Sequence, residues 1–103
     1  MFKQLDYTAA KVLIDQQKTV VADVRNLDSF QAGHIQGAHH LSVKALDDFC
    51  ASTAHDTPIL VYCYHGISSQ AVAQHLVDQG FTAVYSLSGG YEAWKSHHST
   101  SDS

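Results

Sequence analysis

Basic residues are scarce in this sequence. Its 103 residues include six Lys and Arg against ten Asp and Glu, which gives a formal net charge of −4. It contains no basic run of the kind that binds nucleic acid or an anionic membrane surface. No apolar stretch is long enough to span a bilayer. We therefore expect neither nucleic acid nor a membrane as a partner.

Other absences bear on the compartment and on the domain organisation. Residues 1–17 contain acidic residues and lack the apolar centre of a signal peptide, so we predict a cytoplasmic protein. The two cysteines, Cys50 and Cys63, fit free thiols in a reducing compartment. The chain has no repeat or internal linker, and its length suits one core. We predict a single domain over residues 1–96 and a disordered tail over residues 97–103, which are low in apolar residues.

Strand and helix patterns alternate along the chain. Apolar and β-branched runs predict strands at residues 2–6, 19–24, 38–41, 59–62 and 83–87. Apolar residues at helical spacing predict helices after Thr8 as N-cap, at residues 27–33, 43–52 and 68–79, and after Gly89-Gly90. This alternation predicts an α/β fold with a parallel sheet and helices on both faces.

The central stretch runs from Pro58 to Gly80. A buried strand near its start leads to Cys63, and a helix follows from Ser68. Ligands bind at the carboxyl edge of the strands in open α/β sheets. The first amides of a helix have no partners within it, and the helix dipole adds partial positive charge there. A loop that aims several amides at the thiol predicts an anion cradle and a lowered pKa for Cys63.

The residue types of this loop support that interpretation. The predicted cradle comprises Tyr64, His65, Gly66, Ile67, Ser68 and Ser69. Gly66 permits positive φ in the turn, and the two serines can cap the helix and donate hydroxyl hydrogen bonds. The alternative is that Cys63 is an inert cysteine at the end of a buried strand. The Cys-Tyr-His-Gly-x-Ser-Ser turn favours a functional loop.

Three blocks of the sequence together resemble the single-domain rhodanese (thiosulfate sulfurtransferase) family. The first block is Val21-Ala22-Asp23-Val24-Arg25, followed by Phe30, Gly33-His34-Ile35 and Gly37-Ala38. The second is Cys63-Tyr64-His65-Gly66-Ile67-Ser68-Ser69, and the third is Leu87-Ser88-Gly89-Gly90-Tyr91-Glu92-Ala93-Trp94. The blocks keep the family's order and spacing, and the resemblance covers about residues 4–96.

The resemblance implies a five-stranded, mainly parallel sheet with helices on both faces, and it implies that Cys63 is the catalytic nucleophile. The implied reaction is a double displacement, in which Cys63 takes the outer sulfur of thiosulfate as a persulfide and passes it to cyanide or a thiol. The amides of residues 64–69 would stabilise the thiolate and the persulfide without a metal or other cofactor. Thioredoxin-like proteins are candidate acceptors, and we expect a monomer or a weak dimer.

One position of the loop departs from the family. Asn is common where this chain has Ile67, which offers no side-chain hydrogen bond and makes the mouth of the pocket more apolar. The preference for donor and acceptor therefore stays open. The loop has no Arg or Lys, so a dianionic donor would depend on backbone amides, the two serines and a protonated His65.

Two residues of the first block, Arg25 and His34, have both a structural and a functional interpretation. We favour Arg25 as the partner of Asp23 or Asp28 that shapes the scaffold, with anion binding as the alternative. His34 is more often a hydrogen-bonded structural histidine in such a turn than an acid or base. The pairs His39-His40 and His97-His98 lack the spacing and companion ligands of a zinc site, so we expect no metal.

Three other functions would use a similar site. A cysteine phosphatase or arsenate reductase needs Arg six residues after the cysteine, where this chain has Ser69, and the loop is one residue short for phosphate. Non-catalytic rhodanese-like modules often lack the cysteine, which is present here. A sulfur-relay protein loaded by a partner's persulfide would use the same residues, and the sequence leaves that alternative open.

Overall fold

The computed structural model describes residues 1–16 and 18–97. The strands are β1 (Lys3–Leu5), β2 (Val20–Asp23), β3 (His39–His40), β4 (Ile59–Tyr62) and β5 (Val84–Leu87). The helices are α1 (Tyr7–Asp15), α2 (Leu27–Ala32), α3 (Leu46–Ser52), α4 (Ser68–Asp78) and α5 (Gly90–His97), and a 3-10 turn, Val43–Ala45, precedes α3.

The described strands form one sheet in the order β1-β5-β4-β2-β3. All four pairings are parallel. The edge strand predicted at residues 2–6 is β1, and β4 lies at the centre with all four of its residues buried. The predicted five-stranded α/β fold is therefore confirmed, and its sheet is wholly parallel rather than mainly so.

Alternate residues of β4 enter two separate apolar clusters. Leu60 and Tyr62 pack in one cluster with residues of α1 and α5, including Ala10 and Trp94. On the opposite face, a second cluster contains Ile59, Val61, Ala73, Leu76, Phe81 and Val84, with Phe49 of α3 packed against it. A strand buried on both faces reads as a continuous apolar run, which is why the sequence of β4 shows no alternation.

The start of α1 differs from the prediction. The N-cap is Asp6 rather than Thr8, because the Asp6 carboxylate accepts a hydrogen bond from the Ala9 amide at 2.9 Å. Both residue types are favourable caps, so local preference did not distinguish them. The earlier start makes Tyr7 the first helical residue. The centroid of its ring lies 4.8 Å from that of the Trp94 ring.

The end of the domain also differs. Helix α5 continues to His97, whose ring stacks on Tyr7 with 4.2 Å between ring centroids, so His97 belongs to the domain and not to a tail. Residues 98–103, which make up the rest of the predicted tail, lie outside the described residues. Among the helices that the structure describes, none is both long and apolar enough to cross a membrane.

Leu76 tests the packing of α4 on the sheet, because its side chain is fully buried. Leu76→Ala is expected to lower the free energy of unfolding by about 2–5 kcal/mol, through lost burial and the cavity left behind. Val12→Ala on α1 is the control, since Val12 is 58% exposed and should change that free energy by less than about 0.5 kcal/mol. Urea denaturation measures both, and equal effects would contradict the described packing.

Candidate active site

Cys63 follows β4 directly, at the carboxyl edge of the sheet. The chain from Cys63 to Ser69, here called the cysteine loop, turns back so that amides at the start of α4 face the sulfur. The amides of Gly66 and Ser69 each donate to Sγ at 3.2 Å. Of the six residues predicted to form the cradle, Gly66 and Ser69 thus donate amide hydrogen bonds to the sulfur.

Ser69 contacts the sulfur through two groups. Its amide donates to Sγ at 3.2 Å, and its hydroxyl oxygen lies 3.4 Å from Sγ. The same Oγ lies 2.8 Å from Oγ of Ser86 on β5. Ser69 and Ser86 are fully buried, and Cys63 is 6% exposed. The sulfur thus lies at the end of a buried row of two hydroxyl groups.

The environment lowers the pKa of the Cys63 thiol. Burial alone would raise this pKa, but the Ser69 hydroxyl and the amides of Ser69, Gly66 and Ile67 outweigh burial by stabilising the thiolate. Burial raises the pKa of the other cysteine, Cys50, and the carboxylate of Asp47 adds to that rise. Of the two cysteines, Cys63 therefore has the environment that favours the thiolate.

The turn before α5 packs against the cysteine loop, backbone to backbone. The amide of Tyr91 donates to the Cys63 carbonyl at 2.8 Å, and that of Glu92 donates to the Tyr64 carbonyl at 3.0 Å. A Cβ at Gly90 would lie 2.6 Å from the Cys63 carbonyl oxygen and 2.4 Å from that of Tyr64. Gly90 (φ +63°) and Gly66 (φ +87°) both have left-handed backbone conformations.

The two loop serines do not cap α4. Ile67 is the N-cap residue and makes no side-chain cap hydrogen bond. The prediction of serine capping was wrong because the Ser69 amide donates to Sγ and the Ser69 hydroxyl lies beside Sγ, while the Ser68 side chain is exposed. The sulfur therefore takes the place that a capping side chain would fill.

The remaining loop residues face solvent. Ile67 is 74% exposed and Tyr64 is 41% exposed. His65 donates from Nδ1 to the Glu92 carboxylate at 2.9 Å, and both of these side chains are more than half exposed. An apolar groove of about 160 Å³ adjoins the loop and is lined by Val24, Leu41, Ser42, Val43, Leu46, Ser68 and Val72.

Arg25 is held in the scaffold beside the loop. Its Nη2 donates to the Asp23 carboxylate and to the Gly33 carbonyl, each at 2.7 Å. The guanidinium lies 4.3 Å from the centre of the Tyr91 ring, and its side chain is 8% exposed. Burial opposes the charge of Arg25, but pairing with Asp23 raises the pKa of the guanidinium overall. The predicted Arg25–Asp23 pair is present, and Asp28 is not its partner in the described structure.

His34 makes local contacts. Its Nδ1 donates to the Phe30 carbonyl at 2.7 Å, and its ring stacks on Phe30 with 3.9 Å between centroids. His40 donates from Nε2 to the Arg25 carbonyl at 2.7 Å. Over residues 1–16 and 18–97, no three His, Cys, Asp or Glu side chains form a group that could hold a metal ion.

Sequence reasoning did not identify two residues whose side chains contact the cysteine loop, namely Ser86 and Glu92. Ser86 interrupts the apolar strand Val84–Leu87, and a polar residue at a buried strand position was the signal that could have found it. Glu92 lay in the third sequence block, but nothing in the sequence linked it to His65, which is 27 positions away.

Comparison with known proteins agrees with the fold. The family model for the rhodanese-like domain matches residues 6–97, so the chain belongs to the rhodanese-like family. It is 53% identical over 102 residues to a Coxiella burnetii protein named thiosulfate sulfurtransferase GlpE, covering 99% of this chain and 95% of that protein. A Vibrio cholerae protein of the same name is 45% identical over 93 residues, covering 90% and 88%.

A solved structure gives the same result for the fold. The solution NMR structure of the rhodanese-like domain of the Anabaena protein Alr3790 superimposes with a TM-score of 0.82 at 27% identity. The match covers 94% of this chain and 76% of that one. The resemblance drawn from the three sequence blocks is thereby confirmed.

Gly90 tests how strongly the cysteine loop depends on the turn before α5. Gly90→Ala is expected to lower the free energy of unfolding by at least about 3 kcal/mol, because the strained φ and the overlap with two carbonyl oxygens act together. Gly37→Ala is the matched control, since Gly37 has φ +84° but open space around its Cβ position. It should cost only about 1–2 kcal/mol. Equal costs in urea denaturation would show that the close approach is unimportant.

The opposite pKa shifts of the two cysteines are testable in one experiment. The variants Cys50→Ala and Cys63→Ala each leave a single thiol, and intact mass follows its alkylation by iodoacetamide as pH rises. The midpoint for Cys63 should lie below that of an unperturbed thiol, and the midpoint for Cys50 above it, because only the thiolate reacts. Coincident midpoints would contradict the cradle described here.

Proposed function

We propose that this chain is a thiosulfate sulfurtransferase that carries the transferred sulfur on Cys63. The observation that carries the proposal is the convergence of the Gly66 and Ser69 amides on Sγ at 3.2 Å, which favours an anionic sulfur. The names of relatives at 45% and 53% identity support the reaction class. Both cysteines are free thiols, as this chemistry in a reducing cytoplasm requires.

In the first half-reaction, the Cys63 thiolate attacks the outer sulfur of thiosulfate. A new S–S bond forms to Sγ, and the bond between the two sulfurs of thiosulfate breaks. Sulfite leaves with that electron pair, and Cys63 keeps the outer sulfur as a persulfide anion. The amides of the cysteine loop stabilise this anion as they stabilise the thiolate. The same donors therefore face the negative charge before and after the sulfur is taken up.

In the second half-reaction, a nucleophile attacks the outer sulfur of the persulfide. The S–S bond of the persulfide breaks, its electron pair returns to Sγ, and the thiolate is restored. Cyanide would leave as thiocyanate, and a thiol would leave as a new persulfide. We infer a protein thiol, such as that of a thioredoxin-like protein, as one acceptor, because exposed apolar side chains and an apolar groove adjoin the loop. A monomer or weak dimer stays a prediction.

The geometry favours sulfur transfer over phosphate chemistry. Ser69 occupies the position where a cysteine phosphatase has its Arg; its amide donates to Sγ at 3.2 Å and its hydroxyl lies 3.4 Å from Sγ. Arg25 is committed to Asp23 and Gly33 in the scaffold. Neither the cysteine loop nor Arg25 therefore supplies a free guanidinium to clamp a phosphate, which is the interaction that a cysteine phosphatase uses.

The first test is the intact mass of the protein after brief exposure to thiosulfate. We expect a gain of one sulfur atom, removed by cyanide with formation of thiocyanate. Cys63→Ser should show no gain, because its hydroxyl is not a comparable nucleophile. Cys50→Ala is the matched control and should gain sulfur as the wild type does.

Failure to gain sulfur from thiosulfate in folded, reduced protein would overturn thiosulfate as donor. The same assay with a protein persulfide as donor then separates a sulfur-relay protein from a binding module. Loading on Cys63 from that donor alone would indicate the relay, and no loading from either donor would indicate a module without catalysis.

A further inference from the structure

Three heavy atoms form a buried row from the sulfur into the sheet. Oγ of Ser69 lies 3.4 Å from Sγ of Cys63 and 2.8 Å from Oγ of Ser86. Ser69 and Ser86 are fully buried, so solvent does not compete for these hydrogen bonds. Ser86 reaches the row from a different strand, because alternate residues of β5 point to the same face and Val84 packs on the α4 side.

The direction of the hydrogen bonds in this row depends on the charge of the sulfur. A thiolate can only accept, so the Ser69 hydroxyl must donate to Sγ, and its oxygen is then free to accept from Ser86. The row contains two hydrogen bonds, one between Sγ and Oγ of Ser69 and one between the two serine oxygens. In the thiolate state, the two hydroxyl protons form these two hydrogen bonds. In the thiol state, the S–H proton is a third proton, so one of the three has no acceptor within the row. A buried donor without an acceptor is unfavourable, so the row favours the thiolate.

We propose that Ser86 is a positioning residue for the Cys63 sulfur: its hydroxyl donates to Oγ of Ser69 and thereby directs the Ser69 hydroxyl proton at Sγ. Without Ser86, the Ser69 hydroxyl keeps its place but loses the donor that fixes its direction. Ser86 touches neither the sulfur nor a substrate, so it acts through Ser69. The role of Ser86 in sulfur transfer rests on the proposed function, but the row of hydrogen-bonding groups is present whatever sulfur donor the protein takes.

The experiment measures the pH midpoint of iodoacetamide alkylation at Cys63, by intact mass in the Cys50→Ala background. Ser86→Ala is expected to raise this midpoint. At a fixed pH below the midpoint, the thiolate fraction of Cys63 should fall by about three- to tenfold. Ser86→Thr keeps a hydroxyl and should retain the original midpoint. Alkylation needs no sulfur donor, so its outcome is independent of the thiosulfate test.

Two controls separate positioning from packing. Val84→Ala truncates the same face of β5 without touching the row, so it should reduce stability and leave the midpoint unchanged. In a Ser69→Ala background, Ser86→Ala should shift the midpoint no further, because the intermediary is gone. An unchanged alkylation midpoint in folded Ser86→Ala would overturn the proposal. A shift of equal size when Ser86→Ala is made in the Ser69→Ala background would also overturn it. If Ser86→Ala does not fold, a shifted midpoint in Ser86→Thr would overturn it equally.

Discussion

Close contact between two backbone turns is the constraint on which the site depends. The carbonyls of Cys63 and Tyr64 accept hydrogen bonds from the first amides of α5, and Gly90 leaves no room for a side chain between them. With these carbonyls held by α5, the amides at the other side of the cysteine loop can face the sulfur. Helix α5 therefore orders the loop, and the start of α4 supplies donors to the anion.

The charge of the sulfur is stabilised by dipoles and hydroxyl groups rather than by a cation. The single arginine is neutralised by Asp23 in a buried pair, and His65 pairs with Glu92 at the surface. Donors fixed by the backbone need no reorganisation when charge moves along a short S–S unit, as sulfur transfer requires.

Local patterns predicted those features that depend on nearby residues. The β4–loop–α4 unit has a continuous apolar strand, a glycine in the turn and helical spacing from Ser68, so its fold and the position of Cys63 followed from the sequence. The capping pattern was misread because a serine at a helix start usually caps that helix, whereas here the sulfur accepts from the Ser69 amide. Ser86 could not be assigned, because strand order determines which distant residue meets Ser69.

At Ile67, the backbone amide and the side chain affect different properties of the site. Its amide contributes to the lowered pKa of Cys63, while its side chain is 74% exposed. An amide donates whatever side chain its residue carries, so replacing the family's common Asn by Ile leaves the cradle intact. The substitution acts instead on the surface that an incoming donor or acceptor meets, beside an apolar groove. In the proposed function, the nucleophile and the choice of partner can therefore vary independently, because the first depends on backbone geometry and the second on exposed side chains.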